Sequence, residues 1–158
     1  MDLTVIVPLY NEEESLPELF AWIKRVMDEH HYSYEVIFVN DGSTDHSWDV
    51  IEDLNKKNPE VKGIKFRRNY GKSAALYCGF EAAEGDVVIT MDADLQDPPA
   101  LLIEMYKGIT EEGFDCVACR RTDRKGEPKI RSWFAKKFYK LINKMSDAEI
   151  TDGARDYR

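Results

Sequence analysis

The chain has 158 residues, a formal net charge of -8, 43% hydrophobic and 33% charged residues, which suits a globular domain and excludes a disordered or fibrous chain. No apolar run approaches the roughly 20 residues that cross a bilayer, and the acidic balance disfavours general nucleic-acid binding. Three cysteines, an odd number, argue against a disulfide framework and for a reducing, cytoplasmic compartment.

In chain order, Leu3-Thr4-Val5-Ile6-Val7-Pro8 is a short apolar, β-branched run and predicts a buried strand, starting too early for a signal peptide. Ser15-Leu16-Pro17-Glu18 has the spacing of a capping box, and Leu16, Leu19, Phe20, Ile23 and Val26 carry a helix to about Glu29. Tyr34 to Val39 is a second strand. Asp41-Gly42-Ser43-Thr44 is turn chemistry, and Asp45 suits the cap of a helix through about Lys57. Val61 to Phe66 is a third strand, Asn69-Tyr70-Gly71 a loop and Ser73 to Ala83 a small-residue helix. Val87 to Met91 is a fourth strand, and Asp97-Pro98 reads as N-cap and first residue of a helix to about Glu112. Phe114 to Cys119 is a fifth strand and Ile130 to Met145 the last helix.

Alternation of strand and helix with long connections predicts an α/β fold, a mostly parallel sheet with helices on both faces. Ligands of such sheets bind beyond the carboxyl ends of the strands. Those ends carry Pro8-Leu9-Tyr10-Asn11-Glu12, Asn40-Asp41-Gly42, Asp92-Ala93-Asp94-Leu95-Gln96 and Arg120-Arg121. Clustered carboxylates are costly without a cation, and arginines suit phosphate oxygens. Asp92 and Asp94, one residue apart after an apolar strand, can address a hard divalent ion such as Mg²⁺ or Mn²⁺. The plainer alternative is that they solvate a loop and cap a helix. Asp41 stands where nucleotide-binding sheets hold a ribose or base, or it closes an Asx-turn into Gly42. The first strand–helix connection lacks G-x-G-x-x-G, so a dinucleotide dehydrogenase loses its main signature. Cys116 and Cys119 are expected to be buried structural residues, and His30, His31 and His46 solvated ones.

Residues 120–144 hold ten Lys/Arg and two acids, a +8 segment in a chain that is otherwise -16. Phe134, Phe138, Leu141, Ile142 and Met145 form one apolar stripe, with Lys136, Lys137, Lys140 and Lys144 largely off it. A basic amphipathic helix of this kind suits an anionic membrane surface, and equally a core-packed helix with a solvated face.

Taken together, Val5 to Glu12, Val39 to Asp45, Arg68 to Lys72 and Met91 to Pro99 resemble the family 2 glycosyltransferases of GT-A fold, a Rossmann-like sheet. The Asp-Ala-Asp-Leu-Gln-Asp-Pro-Pro run is similar to that of polyprenyl-phosphate hexosyltransferases of the dolichyl-phosphate mannose synthase type. The resemblance implies one catalytic domain over 1–158, truncated before a membrane-associated remainder. It implies metal-dependent, inverting transfer of a hexose from a nucleoside-diphosphate sugar to a polyprenyl phosphate, at the cytoplasmic face of a membrane, with a homo-oligomer possible. By the same resemblance Pro8, Tyr10, Glu12, Val39, Asp41, Lys72, Asp92, Ala93 and Arg120 bind the nucleotide sugar. Asp94, Gln96 and Asp92 hold the ion, Arg121 and Arg131 face the acceptor, and Asp156, with Asp94, is catalytic. Asn40 replaces the family's common first aspartate, and the Gly153 to Arg158 segment departs from the family's Gly-Asp-Phe-Arg. The competing readings are a saccharide hydroxyl acceptor, an inactive sugar-nucleotide-binding membrane module, and a haloacid-dehalogenase-type phosphatase. The last normally carries its D-x-D after the first strand.

Overall fold

The structure, a computed structural model, describes residues 1–119. Four strands, β1 (Leu3–Leu9), β2 (Tyr34–Asn40), β3 (Val61–Lys65) and β4 (Val87–Thr90), form one sheet in the order β3-β2-β1-β4, with every pairing parallel. The helices are α1 (Leu16–His30), α2 (Ser47–Lys57), α3 (Lys72–Ala82) and α4 (Leu101–Thr110).

The central strands explain themselves. In β1, Leu3, Val5, Ile6 and Val7 are almost wholly buried, as are Val36, Ile37, Phe38 and Val39 in β2. Both faces of these strands are covered, so they read as continuous apolar runs rather than alternating ones. On one face Ile6, Ile37 and Val39 pack with Ala75 of α3. Gly79 lets α3 lie close there: a Cβ on it would stand 2.5 Å from the Ile6 side chain. On the other face Gly63 of β3 meets Ile51 and Trp48 of α2. The expected helices on both faces are thus present.

The chain runs outward through β1, β2 and β3, then crosses back to place β4 on the far side of β1. Strand order reverses at β1, which opens a crevice beyond its carboxyl end.

Three expected helix caps need correction. The Ser15 capping box does not form: Ser15 Oγ donates instead to the backbone oxygen and Oε2 of Glu12. Asp45 lies one residue ahead of the N-cap position, His46, although its Oδ1 does accept from the amide and hydroxyl of Ser47. Asp97 is not an N-cap, because α4 begins at Leu101 after turns closed by the Pro98 and Pro99 carbonyls. A residue ahead of proline is pushed out of the helical region, so Pro99 bars a start at Pro98.

The fifth strand, Phe114 to Cys119, is absent from the sheet. The chain leaves α4 through Gly113 at φ +74°. Asp115, Cys116 and Val117 then run beside β4 across a cavity of about 180 Å³ lined by Val87, Val88 and Ile89. Within that stretch only Val117 is β-branched, so little favours extension. Cys116 is consequently exposed and Cys119 half-buried rather than buried. The histidines are exposed as expected. The Ile130 to Met145 helix lies outside the described residues.

Candidate nucleotide-sugar site

The loops after β1 and β2 interlock. The amide of Asn11 donates to Ser43 Oγ and the amide of Thr44 to Asn11 Oδ1. The amide of Glu12 donates to Ser47 Oγ, that of Glu13 to Asp45 Oδ2, and that of His46 to Glu13 Oε2. Burial would raise the Asp45 carboxyl, but the bonds from the Ser47 hydroxyl and amide and the Glu13 amide outweigh it and hold it below the usual range. Asn11 sits at φ +57°, a strain this lattice of bonds sustains. The first two strand ends are therefore one rigid edge.

Asp41, 5% exposed, turns its carboxylate onto the start of α3: Oδ1 accepts the amide of Tyr70 at 2.7 Å and Oδ2 that of Gly71 at 2.8 Å. Gly42, at φ +72°, brings the two loops into contact. A Cβ there would stand 2.3 Å from the Arg68 carbonyl carbon, so no side chain fits. Lys72, first residue of α3, reaches across and donates from Nζ to Asp92 Oδ1 at 2.6 Å.

These contacts enclose a cavity of about 340 Å³ beyond β1, within the range that holds a small ligand. Pro8, Tyr10, Asp41, Lys72 and Asp92 line it, five of the residues singled out from sequence, together with Leu9, Asn69, Gly71 and Ala75. The last four were missed. Asn69 and Gly71 follow β3, and the strand-end rule applied to that strand points to them.

Other expected residues stand elsewhere. Val39 is fully buried in the core under α3, and Ala93 is nearly so. Glu12 is half-buried, its Oε2 accepting from Ser15. Asp94 and Gln96 are exposed in the loop after β4, where the Gln96 amide donates to Asp94 Oδ1 at 3.1 Å and Leu95 adopts φ +59°. No group of three or more His, Cys, Asp or Glu among the described residues could hold a metal by itself. Arg120, Arg121, Arg131 and Asp156 lie outside the described residues.

A family model described as glycosyl transferase family 2 matches residues 4–158. The chain belongs to that family. It is 40% identical over 155 residues to an uncharacterised glycosyltransferase of Bacillus subtilis (strain 168), covering 98% of this chain and 48% of the relative. It is 37% identical over 161 residues to the bactoprenol glucosyl transferase of Shigella phage SfV, covering 100% of this chain and 51% of the relative. The chain thus spans about half the length of the curated relatives it matches.

Among solved structures it resembles S. aureus TarS in complex with UDP-GlcNAc, with TM-score 0.60 and 24% identity over 82% of this chain and 37% of that one. It also resembles a Pyrobaculum calidifontis mannosyltransferase in complex with GDP-Man and Mn²⁺, with TM-score 0.52 and 24% identity over 75% of this chain and 35% of that one. At these identities the likeness concerns the fold, which is the GT-A arrangement. Among the described residues of this family 2 chain, no helix is long and apolar enough to cross a membrane.

Proposed function

We propose that the chain, as one catalytic domain over 1–158, transfers a hexose from a nucleoside-diphosphate sugar to a polyprenyl phosphate with inversion at the anomeric carbon. The observation that carries this reading is the 340 Å³ cavity at the point of strand reversal, walled by Asp41 on one side and Lys72 with Asp92 on the other. The acceptor is inferred from the bactoprenol glucosyl transferase relative, and the donor class from the UDP-GlcNAc and GDP-Man of the structural neighbours.

Pro8 and Tyr10 form the nucleoside wall, with Tyr10 exposed enough to stack on a base. Asp41 borders base and ribose, with Val39 behind it and Glu12 bracing the loop. Lys72 and Arg120 take the diphosphate oxygens, where a fixed cation stabilises the charge that develops as the nucleoside diphosphate departs. Asp92 orients Lys72, and the Ala93 backbone borders the ribose. Arg121 and Arg131 draw in the acceptor phosphate. That phosphate is largely ionised near neutral pH and needs little base catalysis, so Asp156 orients it.

The chain's oxygen donors fit Mg²⁺ or Mn²⁺, which commonly use one or two carboxylates plus substrate phosphates rather than an all-protein cage. Asp94, exposed, and Gln96 would hold the ion, with Asp92 beside them and already engaged by Lys72. The ion would supply further charge neutralisation at the diphosphate. The basic 120–144 segment would draw the domain to an anionic leaflet.

The test is a thermal-shift screen of UDP-glucose, UDP-GlcNAc and GDP-mannose with and without Mn²⁺, followed by transfer to a polyprenyl phosphate in detergent. A matching donor at a hundred times its Kd adds about 2.7 kcal/mol of stability. Binding without transfer would leave an inactive sugar-nucleotide module, and transfer to a saccharide hydroxyl alone would move the acceptor class.

A further inference from the structure

Residues 65–72 read Lys65-Phe66-Arg67-Arg68-Asn69-Tyr70-Gly71-Lys72, four cations without an acid. The rest of the described chain leans the other way. Residues 1–119 hold ten Lys/Arg against twenty-four Asp/Glu, so four of the ten cations fall within eight residues. The stretch runs from the last residue of β3 to the first of α3 and therefore lies at the carboxyl end of the sheet, and Asn69, Gly71 and Lys72 line the cavity. At the opposite end of α3 stand exposed Glu81, Glu84 and Asp86. The two ends of α3 thus differ in sign, with Lys72 and the preceding arginines at its start and the three acids at its far end, while the cavity lining itself holds Asp41 and Asp92 as well as Lys72.

The side chains of this connection face water. Lys65, Arg67 and Arg68 are exposed, and neither arginine is in an ion pair among the described residues. The Arg68 guanidinium lies 4.9 Å from the Tyr70 ring centre, and Phe66 meets that ring edge-on at 5.7 Å, yet Tyr70 remains 57% exposed. A half-exposed tyrosine packed on Phe66 and Arg68, beside arginines without an ion pair among the described residues, has the amphipathic chemistry of a membrane–water interface. The backbone beneath is fixed by the Asp41 carboxylate on the Tyr70 and Gly71 amides and by the close Gly42 contact. The side chains are therefore presented from an ordered turn, which reduces the entropy lost on docking.

We infer that the 65–72 connection is a contact surface for an anionic membrane, with Arg67 and Arg68 on lipid phosphates and Tyr70 at headgroup level. The consequence is orientation: the mouth of the cavity faces the leaflet. This rests on the reading that the acceptor is a lipid phosphate, since a soluble acceptor gives no reason for that orientation. It is distinct from the basic 120–144 segment and sits at the edge of the cavity itself.

The experiment is co-sedimentation of the 158-residue chain with phosphatidylcholine vesicles, with and without phosphatidylglycerol, in the absence of sugar nucleotide and polyprenyl phosphate. Wild type should bind the phosphatidylglycerol vesicles alone and lose binding as salt is added. Arg67→Gln with Arg68→Gln should lower partitioning about twenty-five-fold, at roughly five-fold per cation. Affinity for UDP and GDP should be unchanged, which also controls for folding. Tyr70→Ser should lower partitioning without altering its salt dependence. Unchanged partitioning of the double variant, or equal binding of wild type to neutral vesicles, overturns the surface. So does normal vesicle binding with weakened self-association, which would make the patch a contact between copies. Transfer to polyprenyl phosphate in detergent is read separately. Docking without transfer removes the acceptor reading, and transfer without docking removes the surface.

Discussion

Lys72 Nζ and Asp92 Oδ1 meet at 2.6 Å across the mouth of the cavity, joining the first turn of α3 to the loop after β4. Twenty residues separate them in sequence, and only the crossover that places β4 beside β1 brings them together. Both are partly exposed, so the pair contributes about 1 kcal/mol or less to the fold. Its consequence is positional: an ammonium is held at the edge of the cavity, where the proposed function puts the diphosphate.

Lys72→Ala should therefore lower affinity for UDP or GDP about tenfold, the loss of one charged hydrogen bond. Affinity for uridine or guanosine should hold, and the urea midpoint should barely move. Isothermal titration of both ligand sets decides it. An equal loss for nucleoside and diphosphate would remove Lys72 from the phosphate subsite.

Asp41 is the opposite case, lining the cavity while it holds two backbone amides. Removing its carboxylate strands the amides of Tyr70 and Gly71. Asp41→Ala should cost about 2 kcal/mol of stability, as buried donors lose their acceptor. It should also weaken nucleoside and nucleoside diphosphate alike, with or without Mn²⁺. Asp41→Asn keeps one acceptor but turns an NH₂ toward an amide donor, so it should fall between. A deficit seen only when Mn²⁺ is present would put Asp41 on the ion instead.

The contrast between these residues shows what sequence carries. Strands β1 to β4 were legible within one or two residues, because runs such as Val5-Ile6-Val7 and Val36-Ile37-Phe38-Val39 have few alternatives to burial. Strand-end placement pointed to Pro8, Tyr10, Asp41 and Asp92 for the same reason. Side-chain bonding did not follow. Ser15 had a capping-box spacing but a nearer partner in Glu12, and Asp97-Pro98 had a helix-start pattern that Pro99 vetoes. The Phe114 to Cys119 segment had apolar character without the β-branched density or a backbone turn that would lay it on β4. The double amide bond to Asp41 spans about thirty residues and has no periodicity to reveal it.

Asp94 tests the ion. It is exposed, and among the described residues its Oδ1 accepts the local Gln96 amide alone, so it braces no distant part of the described fold. Asp94→Ala should leave the unfolding free energy of the ligand-free protein within about 0.5 kcal/mol of wild type, as for most surface changes. The Mn²⁺-dependent part of UDP or GDP binding should fall at least tenfold. Titration of UDP and GDP at several Mn²⁺ concentrations measures both, and Mn²⁺-enhanced binding that survives the change would assign the ion elsewhere.

Stability should depend on pH through a site remote from the cavity. Glu35 in β2 is buried, 1% exposed, yet its Oε1 accepts from Thr4 Oγ1 and the amide of Glu84, each at 2.7 Å, and its Oε2 is ion-paired with Lys62 Nζ at 2.7 Å. Burial alone would raise its carboxyl, but the bonds from Lys62, Thr4 and the Glu84 amide outweigh it and hold the group below the usual range. Lys62, bridging Glu35 and Glu84, is raised in turn by both bonds, with desolvation opposing. A depressed carboxyl stabilises the fold above its unfolded-state value near 4.5 and loses that contribution as pH falls through the lower, folded value. Glu35→Gln keeps the shape but not the charge, so it should cost about 2 kcal/mol at pH 7, where Lys62 and two donors lose a carboxylate. Urea unfolding from neutral to acid pH should show the deficit shrinking below the unfolded-state value, because wild type then protonates too. A deficit that stays constant down to pH 3 would mean that the amide fails on packing and that the Glu35 charge contributes nothing.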